Sequence, residues 1–170
     1  MRSVPPLVLC ALLLTLGGCA GGGGSGGSAK GEFVAGADRV CASHVRAVMT
    51  VLNQPRAGAP SEQQAAQDEG IYEILDLSVH RMDALGSPPN PDGAAFYGYV
   101  RTLKARAALF RLTSVAFLNR DTLSALRFEN RIRDIDVLGD RDAHSYGLRI
   151  CGTGLADLAK AFSAAGLGPQ

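Results

Sequence analysis

Residues 71–100 read IYEILDLSVHRMDALGSPPNPDGAAFYGYV, and this stretch decides the fold. Ile71, Ile74, Leu75, Ser78, Met82 and Leu85 recur at intervals of three and four, the period of one face of a helix. Gly86 suits the position just past a helix C-terminus. Ser87-Pro88-Pro89-Asn90-Pro91 then makes a turn, with Asn90 as N-cap and Pro91 at the first position of the next helix. The apolar spacing resumes at Phe96 and Val100. Helix, turn, helix: the stretch predicts an antiparallel helical hairpin.

The same period extends in both directions. Upstream, Ser61-Glu62-Gln63-Gln64 after Pro60 has the capping-box pattern and opens the first helix of the hairpin. A helix before it takes Asp38 as N-cap, sets Cys41, Val45, Val48, Met49 and Leu52 on one face, and stops before Pro55. Downstream, Phe96, Val100, Leu103, Ala107, Phe110, Ser114 and Phe117 continue the second helix of the hairpin until Asn119–Asp121 breaks it. Asp121 caps a fourth helix whose stripe is Leu123, Leu126, Ile132, Ile135 and Leu138, with a disturbance expected at Gly139. That helix ends near Tyr146, where Gly147-Leu148 has the form of a Schellman cap. A short last helix around Leu155–Ala165 holds Leu155, Leu158 and Phe162. No strand alternation competes.

These segments predict an all-α fold: an up-down-up-down four-helix bundle with a short extra C-terminal helix. The first helix, at about 16 residues against about 25 for the others, falls roughly 13 Å short of its neighbours. The last helix, or residues 32–37, is the expected cover. Aligning the hairpin about its turn sets Asp76 opposite Arg101 and Glu73 opposite Lys104, pairs that help orientation more than stability. The functional alternative for Arg101, Lys104 and Arg111 is a basic strip that grips an anionic lipid or glycan.

The N-terminus carries a different signal. Met1-Arg2 precedes the apolar run Val4–Leu16, which ends in Leu16-Gly17-Gly18-Cys19. The run is shorter than the ~20 residues of a membrane span and suits a signal-peptide core. Leu, two small residues and Cys19 resemble a bacterial lipobox. That resemblance implies cleavage before Cys19, acylation of Cys19, and a lipid-anchored protein outside the cytoplasm, on the outer membrane if the host has one. Two or three acyl chains anchor stably because each buried methylene contributes about 0.8 kcal/mol. Residues 20–31 are Gly, Ser and Ala apart from Lys30, the composition of a flexible tether. The expected organisation is therefore residues 1–18 as signal peptide, 19–35 as lipidated Cys19 and tether, and 36–170 as the helical domain.

Cys10 leaves with the signal, so Cys41 and Cys151 remain for the domain. Export makes a disulfide between them the default expectation, with two buried thiols as the alternative. The long loop so closed gives at most about 4–5 kcal/mol in the chain-entropy model. The topology agrees: Cys41 in the first turn of the first helix and Cys151 just past the fourth reach the same end of the bundle. The bond would latch the last long helix to the first.

Removing Arg2 with the signal leaves 16 basic and 16 acidic residues from the 17 and 16 of the whole chain. This balance argues against a nucleic-acid partner. His44, His80 and His144 are weak candidates for metal ligation: Asp76 and Asp140 each lie one turn before a histidine, a spacing that can share a zinc or copper ion. His80 falls off the apolar stripe, and solvated histidines are the simpler account. No cofactor is expected. Ser43-His44 and His144-Ser145 diverge by about 100° on a helix, and no nucleophile elbow is present. No catalytic residue is assigned, and no enzymatic activity is expected.

The ending Ala143-His-Ser-Tyr-Gly-Leu-Arg-Ile-Cys-Gly152, after a helix and with a cysteine near the first helix, is similar to small exported helical proteins of high-GC Gram-positive bacteria. The resemblance implies a fold and a location and carries no catalytic residue across. The function expected is that of a non-enzymatic binding or accessory module of the cell envelope, recognising a protein or glycan through a helical face. Tyr97 or Tyr99, exposed near the turn, is a weak contact candidate. The alternatives are a carrier of a small apolar ligand between the helices and a metal-handling protein.

Overall fold

The computed structural model describes residues 25–54, 58–89, 91 and 93–152. Four helices follow one another: α1 (Ser25–Asn53), α2 (Pro60–Asp83), α3 (Gly93–Leu118) and α4 (Thr122–Tyr146). Each packs on the next, α1 on α2, α2 on α3 and α3 on α4, in the expected up-down-up-down order. No strand occurs among the described residues, and no helix there is long and apolar enough to cross a membrane. The signal segment, Cys19 and the helix expected over Leu155–Ala165 lie outside the described residues.

Local chemistry explains the helix ends. Pro60 occupies the first position of α2, and the Glu62 carboxylate reaches back to accept from the Ala59 N–H at 3.4 Å. Ser61 sits inside the helix rather than capping it. At α4, the Asp121 side chain accepts from the Ser124 N–H at 3.0 Å, as its N-cap role requires. Gly147 takes the left-handed conformation, φ 99°, and the Leu148 N–H donates to the Ala143 carbonyl at 2.9 Å while Leu148 itself is buried. This is a Schellman ending with its apolar contact.

The first helix departs from the sequence reading. It begins at Ser25, not after Asp38, and at 29 residues it is the longest of the four rather than the shortest. Residues 25–35, read from composition as tether, belong to it. Phe33, Val34 and Ala37 pack against the core, and their burial outweighs the poor helix propensity of the glycines before them. The cover expected from residues 32–37 is thus α1 itself. Phe33, Phe96 and Tyr146 meet with ring centroids 4.9 Å (Phe33–Phe96), 5.9 Å (Phe33–Tyr146) and 5.4 Å (Phe96–Tyr146) apart. Val48, Leu75, Met82 and Leu103 fill the layers beyond these rings.

Three further corrections concern α2 to α4. The helix α4 runs unbroken through Gly139, and its inward residues are Ala125, Ile132, Gly139, Ala143 and Tyr146. Leu123, Leu126 and Leu138 of the expected stripe are exposed. The cause is the close α3–α4 approach: a Cβ built on Gly139 would stand 2.8 Å from Thr102 Cγ2, so the seam admits only small residues there and the leucines turn outward. The expected ion pairs across the hairpin do not form. Lys104 meets Asp83 at 3.2 Å, and Asp76 meets His80 of its own helix at 3.6 Å. Of the described residues between α2 and α3, Pro88 is buried and set against Gly93.

The disulfide is present, between sulfurs 2.13 Å apart, with Cα atoms 5.2 Å apart. Its place is not the end of the bundle. Cys41 lies past the midpoint of α1, and the chain turns back after Gly147 so that residues 148–151 run beside α1. Asp38, in the body of α1, holds this return: its carboxylate accepts from the N–H groups of Arg149 (3.0 Å) and Ile150 (2.9 Å). The residue read as an N-cap for α1 does the equivalent work for a segment 111 residues away.

Candidate functional site

Among the described residues, polar or ligand-sized features gather in a buried layer around the disulfide and in a groove on the outer side of α2 and α3. The buried layer starts from the spacing of α1, where His44 lies one turn beyond Cys41. His44 is buried at 7 % exposure. Burial, and secondarily the Arg106 guanidinium, lower its pKa to about 4, so the ring is neutral at pH 7. Arg106 of α3 pairs with Asp136 of α4, Nε to Oδ1, at 3.2 Å. Burial raises the Asp136 carboxyl, and Arg106 opposes that rise. The Tyr99 hydroxyl lies 3.2 Å from Cys41 Sγ. A disulfide sulfur has no proton to give, so the phenol donates. Burial pushes the Tyr99 phenol well above its ordinary range, and it stays protonated.

A cavity of about 10 Å³ lies among Tyr99, Arg106, Asp136, Asp140 and Cys151, room for one water molecule. The layer contains a neutral imidazole, a protonated phenol, a paired guanidinium and an oxidised cysteine pair. None of these is an accessible nucleophile or base. Its evident work is to hold α1, α3, α4 and the returning chain in register.

The other sequence candidates scatter. His80 and His144 are exposed and belong to α2 and α4. In each, the ring Nδ1 meets the carbonyl four residues back, Asp76 at 2.8 Å and Asp140 at 2.7 Å. A carbonyl only accepts, so Nδ1 carries the proton in both rings. Among the described residues no three of His, Cys, Asp and Glu converge on a metal-sized site. Tyr97 is half-exposed and Tyr99 is buried, so only the first is available at the surface.

The groove is what sequence reasoning missed. It measures about 510 Å³ and lies between Tyr72 and Asp76 of α2 and Lys104, Arg111, Leu112 and Val115 of α3, with buried Ala107 and exposed Ala108 also lining it. The Arg111 guanidinium stands over the Tyr72 ring, 5.4 Å from its centroid. Leu112 and Val115 are each 47 % exposed, and Leu118 beyond them 61 %. Arg111 and Lys104 drew attention in the sequence as charges. Nothing there showed that Tyr72 would join them, because the groove exists only at the observed α2–α3 register. No family model, curated protein or solved structure matches the chain.

Proposed function

We propose that the chain is a lipid-anchored extracytoplasmic protein whose bundle serves as a non-enzymatic binding module of the cell envelope, with the α2–α3 groove as its binding face. The observation that carries this reading is the groove itself, with Leu112 and Val115 nearly half exposed in its wall and Leu118 61 % exposed one turn further along α3. Exposed apolar side chains gathered beside a concave surface of ligand-binding size are costly unless something covers them. The lipobox-like Leu16–Cys19 segment and the Cys41–Cys151 disulfide support a location outside the cytoplasm.

The reading as a carrier with its ligand among the helices draws less support, because the cavity beside Tyr99 has room for one water only. Metal handling draws less again, with His44 buried on α1 and the other two histidines exposed on separate helices. A photo-crosslinking side chain placed at Ala108 tests the binding face in intact cells. It should give a discrete crosslinked species that the same group at exposed Arg133, on α4, does not give. Equal products from both positions, or none, would count against the groove.

A further inference from the structure

The groove's chemistry is specific enough to name a ligand class, on the footing that this face is the binding face. We propose that the groove binds a single-chain amphiphile with one anionic headgroup, a long-chain carboxylate. Lys104 and Arg111 stand two turns apart on one stripe of α3, about 10 Å along the helix axis. Between them lie only Ala107 and Ala108, so both long side chains can close on an anion seated above the alanines. Arg111 rests on the Tyr72 ring and, among the described residues, meets no carboxylate. Lys104 shares Asp83 in an exposed pair, which an incoming carboxylate exchanges at little cost.

The walls carry Lys104 and Arg111 against Asp76, and Lys104 also pairs with Asp83 beside the groove, so Arg111 is the cation that seats a single negative charge. Asp76 opposes that anion and partly offsets the attraction, although it also lies 3.6 Å from the His80 ring. Beyond Arg111 the lining turns apolar through Leu112 and Val115, which gives the alkyl chain its track. From Ala108, under the seated headgroup, to Val115 is about 10 Å along α3, and to exposed Leu118 about 15 Å, enough for a chain of roughly twelve carbons. The volume of the groove is that of a small-ligand site, which fits one chain.

The test is calorimetric titration of the full chain carrying Cys19→Ser with dodecanoate below its micelle concentration. Dodecanoate should bind, while dodecyl maltoside and dodecyltrimethylammonium should bind at least about tenfold more weakly, the weight of one charged hydrogen bond. Arg111→Gln should weaken dodecanoate by a similar factor and leave the maltoside unchanged. Asp76→Asn should tighten dodecanoate, and Ala108→Trp should abolish its binding by occupying the groove. Melting curves for each variant separate lost binding from lost folding. Maltoside binding as tight as dodecanoate, or indifference to Arg111→Gln and Asp76→Asn, would overturn the proposal. So would Arg111-dependent capture by vesicles of a two-chain anionic lipid without dodecanoate binding. If dodecanoate fails while the Ala108 crosslink still forms, the ligand class is wrong and the binding face stands. If both fail, the functional reading fails with it.

Discussion

His44 shows how one side chain can tie stability to pH. Its folded pKa is about 4 against an ordinary 6.5, so the unfolded chain binds the proton more readily. Stability from this group is fully present above pH 6.5 and is lost as pH falls towards 4, by about 3 kcal/mol in all. Denaturant titrations across that window should show the decline, and His44→Leu should remove most of it. A slope unchanged in the variant would assign the effect to other groups. At this scale the sequence was legible where chemistry is local: Asp121 and Gly147 cap as their types predict. It was not legible at Arg120, which adopts φ 58° to end α3 where glycine is the expected residue. Nor was it legible at His44, whose burial depends on how α1 packs.

At the scale of elements, the misread positions share one cause: tertiary contact overruled local pattern. Residues 25–31 of α1 have a tether's composition, yet just beyond them Phe33 and Ala37 find a core to enter. The stripe of α4 was assigned to its leucines, but close approach at Gly139 gave the seam to small residues. Asp38 is the sharpest case, because the same carboxylate serves a cap-like role toward a different segment. Asp38→Ala should cost about 1–3 kcal/mol, the range for leaving such donors without a partner. Hydrogen exchange should accelerate at Arg149 and Ile150 and stay slow in the middle of α2 and α3. Uniform acceleration would mean that Asp38 supports the whole bundle, not the returning chain alone.

For the whole molecule, the order of helices and the cysteine pair followed from periodicity and cysteine count, since both are properties of the chain before it packs. The groove did not, since it is made by two helices whose register is set by their packing. The proposed anchor also belongs to this scale. Cys19→Ser should move the protein from the membrane to the soluble fraction or leave uncut precursor, as read by fractionation and intact mass. Full membrane retention of a cleaved product would defeat the lipoprotein reading. The position of the disulfide adds a mechanical consequence. Joining residues 41 and 151 closes α2, α3 and α4 into a covalent ring, with the chain before Cys41 as a pendant. Tension between the N-terminus and a load on the C-terminal tail passes through the sulfur bridge and goes around the ring. Such a pull can unravel the first turns of α1 but cannot draw out the segment that holds the groove, so the binding face keeps its shape under a load that strips the helix leading to it.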